Sequence, residues 1–152
     1  MNAADLLLGA EALARHAERT AIVCGDERVS YRALAGRVRR SASAARRRGV
    51  RPGDRVMLLM RDTPDAAAAW LGVVHAGGVA VALNSKLSEA DYRHILADSG
   101  ARLLIVEAAF AHARPDLTEE LAREKRVVVA GGTAAGLPSW DALLAEAPDD
   151  AA

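Results

Sequence analysis

The run Gly131-Gly132-Thr133-Ala134-Ala135-Gly136 comes nearest to a phosphate cradle, because glycine lets successive backbone N–H groups approach an anion. No Lys-Ser or Lys-Thr pair follows it, and Leu137-Pro138 interrupts the chain before the next helix, so the P-loop pattern fails and the run reads as a solvent loop. The glycine pair Gly77-Gly78 reads as a helix stop with a tight connection. His16, His75, His94 and His112 lie far apart, with no cysteine or carboxylate at metal-ligand spacing, so no metal site is assigned. Cys24 falls in an apolar run and reads as a small buried hydrophobe. Ser30, Ser85 and Ser88 stand at helix starts or in loops without a Gly-x-Ser-x-Gly elbow, which leaves no nucleophile. From residue chemistry alone, no catalytic residue is assigned.

The elements that would carry such residues alternate between helical and strand periods. Leu6, Leu7, Ala10, Leu13, Ala14 and Ala17 predict one opening helix. Residues 20–24 and 28–30, separated by Gly25-Asp26, predict two short strands around a turn. Ser30 then caps a long helix whose apolar stripe is Tyr31, Leu34, Ala35, Val38, Ala42 and Ala45, with Gly49 as its stop. The opposite face carries Arg37, Arg39, Arg40, Arg46, Arg47 and Arg48 and is expected to be solvated. Val56-Met57-Leu58-Leu59-Met60 is an unbroken apolar run of the kind found inside a parallel sheet. A helix beginning near Pro64, a strand at 79–83, a helix from Ser88 through Asp98 and a strand at 103–106 follow. A helix from about Asp116 to Glu124, a strand at 127–129 and a last helix from Ser139 complete the pattern. The expectation is an α/β fold, three-layered, with a largely parallel sheet over residues 1–146 and a linker at 147–152.

Composition narrows the function classes. The chain has 152 residues, 20 Lys+Arg against 20 Asp+Glu and a formal net charge of zero, so no global field draws it to nucleic acid or an anionic membrane. Aromatic residues make up only 3%, too few for a base-stacking platform. No window reaches the roughly eighteen apolar residues of a membrane span, and no basic leader opens the chain. A single cysteine fits a reducing cytoplasm. Arginine greatly outnumbers lysine, a bias expected of a GC-rich bacterial genome.

Several segments in order resemble the N-terminal region of AMP-forming acyl- and aryl-CoA synthetases of the adenylate-forming superfamily. They are Thr20-Ala21-Ile22-Val23 with Ser30-Tyr31-x-x-Leu34, Gly49-Val50-Arg51-Pro52-Gly53-Asp54-Arg55-Val56, and Trp70-Leu71-Gly72 with Ala76-Gly77-Gly78-Val79. Leu83-Asn84-Ser85-Lys86-Leu87 and Tyr92-x-x-Ile95-Leu96-x-Asp98-Ser99-Gly100-Ala101 continue the match. The stretch from Ala80 to Asn84 followed by Leu87-Ser88-x-Ala90-Asp91-Tyr92 is most similar to the benzoate-CoA ligase branch.

The resemblance implies the N-terminal part of the adenylate-forming fold and a two-step reaction. A carboxylate attacks ATP to give an acyl adenylate and pyrophosphate, and the thiol of CoA then displaces AMP. A full-length enzyme of this kind uses ATP, Mg²⁺ and CoA on a small carboxylate, and the branch resemblance points to an aryl acid such as benzoate. The Ser/Thr/Gly-rich loop ending in lysine, the acidic residues for Mg²⁺ and ribose, and the mobile C-terminal lysine are not in these residues. The chain is therefore expected to be an inactive fragment that binds none of these cofactors by itself and whose partner is the missing C-terminal remainder. Lys86 occupies the place where the family often puts a basic residue near the CoA nucleotide, with Ser85 standing where proline is usual. A fragment of this kind is also expected to expose apolar surface and self-associate. The alternative is a stand-alone binding or assembly module built on the same fold.

Overall fold

The computed structural model describes residues 2–148, so most of the expected linker, residues 149–152, lies outside the described residues. Ala147, at the start of that stretch, is buried.

The opening apolar pattern forms two helices, α1 (Ala3–Leu8) and α2 (Ala10–His16), where one was expected. Gly9 breaks them, because its extended backbone caps α1 while a Cβ there would stand 2.3 Å from the Asp5 carbonyl oxygen. Asn2 and Asp5 close a reciprocal capping box on α1. Strands β1 (Thr20–Cys24) and β2 (Glu27–Ser30) pair antiparallel as a separate two-stranded sheet. Cys24 is exposed at the end of β1, not buried as its apolar neighbours suggested. A lone hairpin has only one face to bury, and it is Val29 that packs inward with Leu8, Leu34 and Val38.

Helix α3 (Tyr31–Arg47) starts on Ser30, whose Oγ accepts the Ala33 N–H. Its arginine face is only partly solvated, because side chains on it have partners elsewhere in the fold. Arg37 bridges Glu27 at 2.8 Å and Asp65 at 3.1 Å, and Arg47 meets Glu146 at 2.7 Å. Arg46 and Arg48 donate to the carbonyls of His75 and Lys125.

The remaining elements are β3 (Arg55–Leu59), α4 (Pro64–His75), β4 (Val79–Ala82), α5 (Glu89–Ser99), β5 (Leu103–Glu107), α6 (Ala108–His112), α7 (Pro115–Arg123), β6 (Val127–Ala130) and α8 (Trp140–Ala145). The short α6 was not anticipated. Four strands form one sheet in the order β4-β3-β5-β6, and every pairing is parallel.

Alternate strand residues point to opposite faces, and each face has its own helices. Val56, Leu58, Leu103, Ile105 and Val128 pack with residues of α3, α4 and α8. Met57, Leu59, Leu104, Val106 and Val129 pack with residues of α5, α6 and α7. The expected three-layer α/β architecture is therefore present. No helix of the described residues is long and apolar enough to cross a membrane.

Helices α3 and α4 approach closely because small residues line their contact. A Cβ on Gly72 would lie 2.3 Å from the Ser41 Cβ and 3.0 Å from the Ala42 nitrogen. Gly72→Ala would gain about 1 kcal/mol in helix propensity. Overpacking of a tight contact costs about 1–3 kcal/mol, and two of the atoms in the way belong to backbone that cannot rotate aside. The expected outcome is net destabilisation, read as a lower urea midpoint at unchanged slope; a rise in midpoint would show that the two helices can move apart.

Candidate functional site

In an open parallel sheet, ligands bind beyond the carboxyl ends of the strands, where successive connections leave in opposite directions. Here β3 leads to β4 on one side, and the chain then returns across β3 to place β5 on the other. The switch point therefore lies between the ends of β3 and β5, at Arg61 and Glu107.

These two residues are joined. The Arg61 backbone N–H donates to Glu107 Oε2 at 2.9 Å, and its Nε donates to Oε1 at 2.6 Å, with a further contact from its terminal nitrogen. The Glu107 side chain is 10% exposed, whereas that of Arg61 is 72% exposed. The guanidinium holds the Glu107 carboxyl below its ordinary range, against an opposing push from burial. Its partner Arg61 is shifted upward by the same bond. A carboxylate held ionised and saturated with donors is a poor proton acceptor, so this pair acts as a brace across the switch point and not as a general base.

A cleft of about 360 Å³ lies beside the brace, lined among others by Cys24, Glu27, Met60, Trp140 and Asp141. On its floor the glycine run after β6 is already engaged. The Gly131 and Gly132 N–H groups donate to the two carboxylate oxygens of Asp141 at 3.3 and 3.2 Å. The donors a phosphate would need are thus directed at a carboxylate from α8, so this loop does not fit an ATP phosphate. Among the described residues, no three His, Cys, Asp or Glu side chains are grouped to hold a metal ion. Gly77 stops α4 in a left-handed conformation, φ 90°, and the Gly78 N–H closes on the Val73 carbonyl, as the stop-and-turn reading required.

Lys86 lies in the turn that follows β4, with its side chain exposed. The turn is well fixed. Asn84 Oδ1 accepts the Lys86 backbone N–H at 2.9 Å, and the Asn84 carbonyl accepts the buried Tyr92 hydroxyl at 2.7 Å. Ser88 and Asp91 form a capping box on α5, and the Ser88 hydroxyl holds the Asp91 carboxyl below its usual value. This places an exposed ammonium on a hydrogen-bonded turn at the carboxyl-end rim of the sheet.

The sequence matches the AMP-binding enzyme family over residues 9–151. The chain belongs to that family. It is 40% identical over 149 residues to a 3-hydroxybenzoate–CoA ligase of Aromatoleum sp. (strain CIB), covering 98% of this chain and 28% of that protein. It is 37% identical over 145 residues to a benzoate–CoA ligase of Thauera aromatica, covering 95% of this chain and 27% of that protein. A solved benzoate CoA ligase from Burkholderia xenovorans LB400 superposes with a TM-score of 0.80 at 32% identity, over 97% of this chain and 29% of that one. The anthranilate CoA ligase AuaEII, in complex with anthranoyl-AMP, gives a TM-score of 0.83 at 29% identity, over 98% of this chain and 29% of that one. The chain thus spans under a third of the length of these relatives and has the adenylate-forming fold expected from the sequence.

Arg61, Glu107 and Asp141 were not singled out from the sequence. The available signal was an acidic residue ending the otherwise apolar run Leu103-Leu104-Ile105-Val106-Glu107, since a charge closing a fully buried strand needs a partner.

Glu107→Gln keeps the shape and removes the charge, and should cost about 1–3 kcal/mol in urea unfolding. Because folding lowers the Glu107 pKa, its contribution is complete above the ordinary value of 4.5 and is lost as pH falls through the lower folded value. Wild type and Glu107→Gln should therefore converge in stability on acidification; a gap that stays constant with pH would remove the brace from the account.

Proposed function

We propose that this chain forms the N-terminal α/β segment of an AMP-forming aryl-CoA ligase. That enzyme joins a small aromatic carboxylate to CoA with conversion of ATP to AMP and pyrophosphate. The observation that carries the reading is 37–40% identity to benzoate- and hydroxybenzoate-CoA ligases over nearly the whole chain. In this reading the three-layer unit over residues 1–146 is scaffold. The phosphate loop, the acidic Mg²⁺ and ribose contacts and the acyl pocket belong to the rest of the enzyme. Lys86 supplies one positive charge to the CoA nucleotide. The bacterial sources of the curated benzoate-type relatives and the single, unpaired Cys24 support a bacterial cytoplasmic setting.

The first test is the size of the native product. If 16.0 kDa is 28% of a polypeptide, the whole is about 57 kDa, and an antibody raised against this chain should detect a band near that mass in the source cell. The longer product should form benzoyl- or hydroxybenzoyl-CoA from the acid, ATP and CoA, while the 152-residue chain releases no pyrophosphate. A native band at 16.0 kDa would sink the reading and leave the stand-alone module.

Lys86→Ala in the longer enzyme should raise KM for CoA about two- to fivefold, the worth of one exposed charge pair, and leave carboxylate-dependent ATP–pyrophosphate exchange unchanged. An unchanged KM for CoA would return Lys86 to the status of an ordinary surface lysine.

A further inference from the structure

The turn that carries Lys86 is weakly closed by its own backbone. Its closing bond, from the Leu87 N–H to the Asn84 carbonyl, is 3.5 Å long, at the outer limit for a hydrogen bond. The same carbonyl accepts the Tyr92 hydroxyl at 2.7 Å, which makes a side chain from α5 the shorter and stronger tie. Asn84 Oδ1 then takes the Lys86 backbone N–H at 2.9 Å. Both oxygens of Asn84 are therefore engaged, one from the core and one toward Lys86.

Tyr92 is itself held in place. It is fully buried on the inner face of α5, in the cluster that contains Leu83, Leu96 and Leu117. The guanidinium of Arg114 lies 4.8 Å from its ring centroid. Arg114 is anchored at the junction of α6 and α7, where its Nη1 donates to the Phe110 carbonyl and its own carbonyl accepts the Thr118 hydroxyl at 3.1 Å. Leu83 and Leu87 pack against the same core on either side of Lys86, and the Tyr92 hydroxyl ties the backbone between them to that core.

Given Lys86 as a contact to the CoA nucleotide, a reading on which this step depends, we infer that Tyr92 is a positioning residue for CoA binding. Its hydroxyl holds the turn from Asn84 to Lys86, so that the Lys86 ammonium is presented to the anion from a backbone already in place. Being fully buried, Tyr92 acts through the turn and not by touching CoA. An exposed lysine loses side-chain freedom when it pairs with a phosphate, and a loose turn would add the loss of backbone freedom. The Tyr92 hydroxyl removes that second cost before CoA arrives. Its effect therefore belongs to CoA binding and not to the adenylation half-reaction, which Lys86 does not enter.

Tyr92→Phe keeps the ring under Arg114 and deletes only the hydroxyl. In the longer enzyme it should raise KM for CoA about twofold, no more than Lys86→Ala does, with kcat and carboxylate-dependent ATP–pyrophosphate exchange unchanged. Added to Lys86→Ala it should raise KM no further, because with the ammonium gone the turn has nothing to present. Asn84→Ala removes the tie to the Lys86 N–H at an exposed position, away from the core, and should raise KM for CoA by a similar factor. On the 152-residue chain, hydrogen exchange of the Lys86 amide should quicken about two- to tenfold in Tyr92→Phe, the worth of one hydrogen bond. If Lys86→Ala raises KM for CoA, then an unmoved KM in either turn variant, additive effects in the double variant, lost pyrophosphate exchange or unchanged exchange of the Lys86 amide overturns the role of Tyr92 alone. An unmoved KM in Lys86→Ala overturns the Lys86 contact itself, and the role of Tyr92 with it.

Discussion

The structure depends on the parallel pairing of β3 with β5. Val56, Met57, Leu58 and Leu59 lie beside Leu103, Leu104, Ile105 and Val106, and none of these eight is more than 4% exposed. Each buried aliphatic side chain of this kind contributes about 1.5–3 kcal/mol of transfer free energy, spent largely on the conformational entropy of ordering the chain. Because both faces are apolar, neither can be left to water, and the sheet requires a helical layer on each side. The positions of α4 and α5 on opposite faces follow from that requirement, and so does the reversal of direction that creates the cleft at the carboxyl ends.

The two ends of this sheet are closed by different chemistry. At the carboxyl end, side-chain carboxyl groups receive donors: Glu107 from Arg61, and Asp141 from the Gly131 and Gly132 amides. At the opposite end, guanidinium groups meet backbone carbonyls. Arg55 donates to Ser99, Arg126 to Ala101, Arg102 to Gly49 and Arg48 to Lys125. Several of these acceptors lie at or just beyond helix C-termini, where carbonyls lack intrahelical partners and the helix dipole favours a cation. The carboxyl end is therefore held through carboxylates, and the amino end through guanidinium forks on backbone oxygens.

Much of this fold was legible in the sequence because burial left a plain pattern. The unbroken runs ending at Met60 and Val106 marked two-sided strands, and Ser30 and Ser88 marked helix starts through the physics of capping. Gly9 was harder, since a single glycine inside a helical stripe is tolerated in most helices, and only its approach to the Asp5 carbonyl shows the break. Cys24 misled because an apolar run does not reveal whether a strand has one covered face or two. The brace at Arg61 and Glu107 joins residues 46 positions apart, and no local spacing records such a pairing. Lys86 was visible through family resemblance alone, since nothing in the pattern around one exposed lysine distinguishes it from any other.

The arginine excess acquires a physical meaning from the carbonyl clasps at the amino end. Lysine could not replace these groups evenly, because a planar fork reaching a backbone oxygen is more weakly hydrated than an ammonium and presents donors at fixed angles. Dissolved guanidinium ion has the same planar head and competes for the same carbonyls, whereas urea brings no charge to them. The two denaturants thus differ in what they bring to these carbonyls, guanidinium alone carrying the charged planar head that the arginine clasps use.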